Sequence, residues 1–563
     1  MPQIDVPKHG MFRTSRNIFG FAPSDVSEAE NMVWADDYLV GREGSSLFKN
    51  STQWSGQKVI SGKDFAVTGE TFYRIVVALD DGRLFYVRSD NVSFGTASVT
   101  WTEITDTSGS SPALSAATTS RSLHGFNNKL FVADGTNNLY YINFSTDRLV
   151  SVTLPGSLTG NVVGLNDKSS SMWVLSDEGR TYKSAINDGT DLTGTGTGSL
   201  NYGRTEGLVA TNMISFGDEL LITTENKPLS RYQTYRLLGI QFYDPLAAGS
   251  DRDQFEVKKV RSFSGMIGAT AEEIAADTIG LTPRGFASAR QAISSVELKD
   301  TDYISYPIKE LVEQIDFSRP DLMSATVDYI AGRYYCAVPL APAGDGADII
   351  LVYDFLRSRP AEGLHRWTVW SFKYESIETL FSVAGRPFMS TVDGNVYKLD
   401  DVDANFADND LAINKLLQIP LVGGTQKGIE KSFDEMNLGI TDIANFRTAP
   451  LDKKPFEITF LPYTAGKGTQ TAFADDDKLP AIKIEQPDVG ILYDEAAYYD
   501  IDFYDGGGSD SRVVSETFAG DRAVATGWTL NTDEVGINWG LAGYSVNIKG
   551  EGLLDSVGAN NIG

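Results

Sequence analysis

The sequence predicts an all-β protein: a β-propeller of about six or seven blades, then a C-terminal β-sandwich-like domain, with few short helices. Three observations carry that prediction. Glycine, tyrosine and phenylalanine number 54, 24 and 29, a balance that favours short strands and tight turns over long helices. Hairpin-like units recur along the first two-thirds of the chain at a spacing of about 40–60 residues. Near residues 400–412 the acidic stretch DDVDANFADNDL lacks hairpin patterning and divides the chain.

Read in order, residues 1–50 form an N-terminal arm and first strand, 51–405 the propeller, and 406–563 a C-terminal β-domain. At 563 residues the chain is too long for one ordinary core. In the arm, Ser27 and Glu30 stand at capping-box spacing, which predicts a helix over 24–34. The propeller region repeats a polar turn, an apolar or aromatic strand, a second polar turn and a Tyr-rich strand, at 73–88, 126–142, 170–183, 216–224, 331–353 and 384–399. Turns such as Asp81-Gly82, Gly135-Thr136 and Asp393-Gly394 supply the positive φ of a tight hairpin. A lone hairpin cannot bury both faces, and packing such units face to face around an axis does so. A β-sandwich array is the rival arrangement. Residues 188–203, DGTDLTGTGTGSLNYG, read as a flexible surface loop.

Two segments break the β pattern. ATAEEIAAD at 269–277 and YPIKELVEQI at 306–315 predict short helices, the second with Pro307 in its first turn and Ile308, Leu311, Val312 and Ile315 on one face. Beyond the boundary, strands are expected at 456–463, 481–485, 497–504 and 543–549, with loops at 465–479 and 505–511.

Charge and cysteine usage narrow the function classes. A formal charge of −27 argues against a surface that binds nucleic acid by neutralising phosphates. In a channel wall it would repel DNA and leave it free to slide, although acidic surfaces are also common on soluble proteins. Cys336 is the only cysteine, so no intramolecular disulfide forms, which fits a reducing cytoplasm without requiring it. MPQIDVPKHG lacks the apolar segment of a signal peptide, and no stretch approaches the roughly 20 apolar residues of a membrane helix.

The residues offer little to an enzyme. His9, His124 and His365 are the only histidines, and none stands at zinc-ligand spacing. His124 and His365 read as packing or hydrogen-bonding residues, and Cys336 as an inert strand residue. No G-x-S-x-G elbow occurs. Asp401-x-Asp403-x-Asn405 has part of an EF-hand rhythm, but Phe406 stands where the loop's glycine belongs and the closing Glu is missing, so a solvated acidic linker is the expectation. Asp475–Asp477 read the same way. GTGTGS at 194–199 lacks the Lys-Ser/Thr ending of a P-loop. No catalytic, cofactor-binding or metal-binding residue is assigned, and no cofactor is expected.

The order of segments resembles a family of phage tail proteins, the propeller-containing nozzle and head-completion proteins of short-tailed phages. EAENMVWADDYLVGREGSSLF at 28–48 is similar to their opening, where an Asn precedes a short strand and an Arg and a Gly lead into the first blade; Asn31, Gly41, Arg42 and Gly44 match. TIGLTPRGFASARQ at 278–291 resembles one of their blade turns, and 306–318 the helix after it. Between Ala325 and Trp370, the residues Gly332, Tyr334, Tyr335, Pro339, Val352, Tyr353, Asp354 and Trp367 fit the strand set of a late blade. KSFDEMNLGI at 431–440 resembles the lead strand of the family's C-terminal β-domain.

The resemblance implies a non-enzymatic virion protein, made in the host cytoplasm and placed in the tail. It implies a homo-oligomeric ring, often six-fold, forming part of the DNA ejection channel. Its partners would be other copies of itself, a head-to-tail adaptor or portal, and tail fibres or spikes, with viral DNA passing through unread and no membrane span. A distal tail protein that contacts the host receptor, or a secreted propeller that binds or hydrolyses glycans with aromatic platforms, are the alternatives.

Overall fold

The computed structural model describes residues 4–5 and 28–553, apart from 36–37, 92–99, 111–113, 115–121, 203–206, 227–230, 241–253, 423–428, 446–455, 466–470, 473–481, 485–511, 533–536 and a few single or paired loop residues. Among these residues, seven antiparallel sheets stand in a ring. Blade 1 runs Val59–Ala66, Tyr73–Leu79, Leu84–Arg88 and Thr102–Asp106; blade 2 runs Ser122–Phe126, Lys129–Ala133, Leu139–Asn143 and Arg148–Ser151. Their outer strands pair with each other in parallel through Arg148 and Thr105. Blade 3 is Val162–Lys168, Ser171–Ser176, Arg180–Lys183 and Gly198–Asn201, and blade 4 is Val209–Phe216, Glu219–Asn226, Arg231–Ile240 and Gln254–Lys259. Blade 5 has three strands, Glu272–Ile274, Asp277–Thr282 and Gly285–Ser288. Blade 6 is Ser324–Asp328, Arg333–Val338, Ile349–Arg359 and Leu364–Ser371.

Blade 7 closes the circle. Its strands Ile377–Val383, Arg386–Thr391 and Val396–Asp401 are completed by Gly44–Lys49, which comes from ahead of blade 1 and pairs Lys49 with Val396 and Leu47 with Tyr397. The innermost strand of each blade neighbours that of the next all the way round, blade 7 to blade 1 included. This geometry answers the burial problem of the hairpin: both faces of every blade are covered by neighbours.

The core is divided accordingly. One apolar cluster fills each gap: Phe48, Trp54, Val77 and Phe388 between blades 7 and 1; Val76, Leu84, Leu130 and Ile142 between 1 and 2; Phe131, Leu165 and Val174 between 2 and 3; Trp173, Leu220 and Leu237 between 3 and 4. Leu221, Met266 and Ala287 lie between 4 and 5, Leu281, Phe286, Tyr334 and Trp367 between 5 and 6, and Tyr335, Trp370 and Met389 between 6 and 7. The turns behave as the sequence predicts: Gly82, Gly135 and Gly394 have φ of 95°, 73° and 80°.

The second β unit has two sheets. One orders Met32–Ala35, Tyr38–Gly41, Ile537–Leu553, Ile429–Asn445 and Arg512–Ala523, with Ile4–Asp5 also on Ile537–Leu553. The other continues outward from blade 6: Glu28–Glu30 pairs in parallel with Leu364–Ser371 and antiparallel with Lys415–Val422, followed by Ala525–Thr532 and Phe456–Ala465. Leu417 and Leu530 of this sheet share a core with Trp34, Leu39, Trp539 and Leu541 of the first.

Several expectations are corrected. Residues 28–35 are strands, not the end of a helix over 24–34, whose residues 24–27 lie outside the described part. Met32, Val33 and Trp34 are all buried, so apolar groups are needed on both faces, which one helical stripe cannot provide. The helix expected at 269–277 is instead a 3-10 turn, Gly268–Thr270, and the strand Glu272–Ile274; Ala275 turns with φ 45° into Asp277–Thr282. Pairing at the centre of the ring overrides the helical propensity of Ala and Glu. At 306–315 the helix is present but short, Tyr306–Ile308 then Lys309–Val312, with Ile308, Leu311, Val312 and Ile315 all buried. A further helix, Ala289–Ser294, follows blade 5, capped by Ser288, whose hydroxyl accepts from the Gln291 amide at 3.1 Å.

The supposed loop at 188–203 includes the outer strand of blade 3, Gly198–Asn201. The acidic stretch at 400–412 is not a solvated linker either. Asp401 and Asp408 are buried, and Ala407–Asp408 pairs with Leu411–Ala412 and with Ser45. Of the later strands, 456–463, 481–485 and 543–549 coincide with strands, whereas 497–504 and the loop 505–511 lie outside the described residues.

Candidate functional site

A charged junction forms where the arm, blades 6 and 7 and the C-terminal sheets meet. Arg42 follows the strand Tyr38–Gly41 and is fully buried. Its Nε donates to Asn31 Oδ1 at 3.0 Å, Nη1 donates to Asp408 Oδ1 at 2.7 Å and to the Glu43 carbonyl at 3.0 Å, and Nη2 completes a bidentate pair with Asp408. The guanidinium lies 5.1 Å from the Trp370 ring and 4.7 Å from Phe372. A planar fork held by a carboxylate and by aromatic faces is the environment in which arginine tolerates burial.

Asn31 ties the same knot from the other side. Its amide donates to the Asn414 carbonyl at 2.7 Å and to Ser371 Oγ at 3.1 Å, and its Oδ1 accepts the Ser371 N–H at 3.0 Å. The two flanking glycines follow from crowding. A Cβ on Gly41 would stand 2.3 Å from Asn538 Oδ1, and one on Gly44 only 1.9 Å from the Ala407 carbonyl. Lys415, also fully buried, donates to the Ile537 carbonyl and lies 5.5 Å from the Phe406 ring. Burial lowers its pKa to about 7.

Beside this knot is a cleft of about 260 Å³, walled by the arm (Val33, Trp34, Ala35, Val40, Gly41, Glu43), blade 6 (Ala331, Arg333, Arg357), Asp400 of blade 7 and Asn538. Arg333 pairs with Asp400, and Arg357 with Asp354 at 3.1 Å. Glu43 is pushed up to about 7, chiefly by burial and then by the Asp400 charge. Five residues of the wall each keep a buried polar atom with no hydrogen-bond partner: Trp34 Nε1, Arg333 Nε, Arg357 Nε, Asp400 Oδ1 and Asn538 Oδ1. Buried polar atoms are seldom left so. The polar groups of the wall are two carboxyl groups, two guanidinium groups, an indole and an amide.

The residues singled out in the sequence fall into place differently. Asn31, Gly41, Arg42 and Gly44 all converge on the knot. The late-blade set is core: Tyr334 donates to the Thr270 carbonyl at 2.6 Å, Trp367 Nε1 to the Ile304 carbonyl at 2.8 Å, and Gly332 turns with φ 72°. His124 Nε2 lies 2.9 Å from Asp167 Oδ1, linking blades 2 and 3. His365 Nδ1 lies 3.3 Å from the Tyr353 hydroxyl, and burial lowers its pKa to about 4. Cys336 is buried in blade 6, its thiol pushed up to about 12 by burial. His9 and Asp475–Asp477 lie outside the described residues. Among the described residues, no three His, Cys, Asp or Glu side chains are grouped to hold a metal, and no helix is long and apolar enough to cross a membrane. Sequence reasoning missed Glu43, Arg333, Asp400, Asp408, Lys415 and Asn538. Only the acidity of 400–412 hinted at two of them.

No family model matches the chain, and no curated protein does. Among solved structures, it is similar to YCF48 bound to D1 peptide, at 10% identity over 66% of this chain and 97% of that one, with a TM-score of 0.35. It is also similar to the Neurospora crassa Pan2 WD40 domain, at 8% identity over 65% and 96%, with a TM-score of 0.37. A third likeness is to BBS1N in complex with ARL6DN, at 12% identity over 61% and 93%, with a TM-score of 0.36.

Proposed function

We propose that the chain is a non-enzymatic structural subunit of a phage tail ring, forming part of the channel through which DNA leaves. The observation that carries this reading is the way the arm makes one body of two. Gly44–Lys49 completes blade 7, Glu28–Glu30 bridges blade 6 to Lys415–Val422, and Met32–Gly41 builds on the C-terminal sheet. A wall around moving DNA needs wedges that do not hinge, and the buried Arg42–Asp408 pair holds the propeller against the second unit. The charge of −27 fits a lumen that repels phosphate and lets DNA slide. In this reading the partners are further copies in a six-fold ring, a portal or adaptor above, and fibres or spikes around. Electron microscopy of the purified full chain, alone and with portal or adaptor rings, tests it. Rings that stack on the adaptor are expected; persistent monomers with no affinity for either partner overturn it.

A further inference from the structure

The cleft between the arm and blade 6 has features that ring-building does not use. Glu43 brings a half-buried carboxylate to its wall, raised in pKa by its surroundings, while the guanidinium groups of Arg333 and Arg357 are engaged by Asp400 and Asp354. Asp400 Oδ1 and Asn538 Oδ1, on side chains more than nine-tenths buried, lack partners. These are three acceptors on one small cavity. The turn that supplies Ala331 also presents Ile330, 61% exposed, and the strand that supplies Arg357 presents Leu356, 65% exposed. The turn and the strand are tied by the Leu356 amide, which donates to the Gly332 carbonyl at 3.3 Å. The site therefore offers acceptors, beside the unpartnered donors Trp34 Nε1, Arg333 Nε and Arg357 Nε, and has exposed apolar residues next along the chain from its wall.

The sequence contains a segment of the opposite character. Residues 6–24, VPKHGMFRTSRNIFGFAPS, carry Lys8, Arg13 and Arg16 and no carboxylate, in a chain of charge −27, and intersperse Phe12, Ile18, Phe19 and Phe21. The segment leaves from Asp5, paired with Gly543, and returns at Glu28; with both ends held, such a length of chain loops outward on the order of 35 Å. We propose that the cleft is a receptor for a guanidinium or ammonium side chain, delivered by the basic, aromatic segment Lys8–Phe21 of a neighbouring copy of this chain. A cation entering beside Glu43 displaces its proton, then meets the carboxylate and the two free acceptors, and the aromatic residues beside it cover Ile330 and Leu356. This inference rests on the ring reading and supplies that ring with a specific subunit contact.

The test uses a labelled peptide of residues 6–24 titrated into the full chain by fluorescence anisotropy. Saturable binding is expected, weakened about tenfold by Glu43→Gln in the chain and by Lys8→Ala, Arg13→Ala and Arg16→Ala in the peptide. Spermidine serves as the free amine. If it displaces the peptide only at far higher concentration, the contact belongs to the segment; displacement at equal concentration overturns the segment as occupant. Equal binding by Glu43→Gln, or by the uncharged peptide, also overturns the proposal. In samples that sedimentation shows to be monomeric, peptide binding that appears only when the chain's own Lys8, Arg13 and Arg16 are replaced would mean that each copy fills its own cleft, and overturns the neighbour. Rings that persist in the full chain carrying Arg13→Ala and Arg16→Ala would sink this contact and leave the ring reading standing. Absence of rings in the wild type sinks the ring itself.

Discussion

The gaps between blades and the junction beside the arm are both buried, yet they are built from different materials. Between blades 1 and 2 the packing is chiefly apolar, with Val76, Leu84, Leu130 and Ile142 all at 0–1% exposure. At the junction the equivalent depth is occupied by Arg42, Asp408, Asn31 and Lys415. Apolar gaps are interchangeable in kind and tolerate substitution of similar volume. A buried ion pair adds little net stability over an apolar packing, but it penalises any arrangement that separates its partners. The ring is thus held by quantity of burial, while the second unit shares an apolar core with blade 6 and adds to it a few specific polar contacts.

That contrast can be broken by mutation. Arg42→Ala leaves the Asp408 carboxylate buried without its counter-charge and is expected to cost about 3–5 kcal/mol, read by denaturant unfolding. The double replacement Arg42→Met with Asp408→Leu should recover part of that loss; no recovery would mean that the pair itself, and not the avoidance of a lone charge, stabilises the junction. Leu84→Ala, in the gap between blades 1 and 2, is expected to cost roughly 3 kcal/mol, with the junction undisturbed. Gly69, in the first turn of blade 1, has φ of 93° and open space where a Cβ would go; Gly69→Ala should cost about 1 kcal/mol from backbone strain alone.

A pH series sharpens the comparison further. The folded chain holds the Glu43 proton up to about pH 7, against an ordinary value of 4.5. Its contribution is therefore fully present below about pH 4.5 and is lost as pH rises through about 7. The stability of the wild type relative to Glu43→Gln should fall across that window, and a flat difference would place Glu43 in solvent. The smallest effect is expected at the lip of the cleft: Ile330→Ser with Leu356→Ser should change stability by no more than about 0.5 kcal/mol while weakening assembly, read by sedimentation.

The blades were legible and the junction was not. Turn residues such as Gly82 and Gly394 and the aromatic strands around them carry their signal within a few positions, so six hairpins could be placed from local pattern alone. Asn31, Gly41, Arg42 and Gly44 stood out as a set, but nothing local says that Arg42 finds Asp408, more than three hundred positions away. For the same reason Asp401 and Asp408 read as solvated, since acidity in sequence carries no information about a distant cation. Glu272–Ile274 misled in the opposite sense: its composition favours a helix, and only its place at the ring's centre makes it a strand.

The closing of blade 7 by Gly44–Lys49 has a consequence for how the molecule is made. That strand leaves the ribosome before any blade, while its partner, Val396–Asp401, emerges only after blade 6 is complete. The disc therefore cannot shut until some seven-tenths of the polypeptide has been synthesised, and the early strand must wait unpaired through all of that time. Such late, long-range closure is slow, and the waiting edge is exposed to wrong partners. Chains arrested before residue 396 should accordingly accumulate as open, chaperone-dependent arcs.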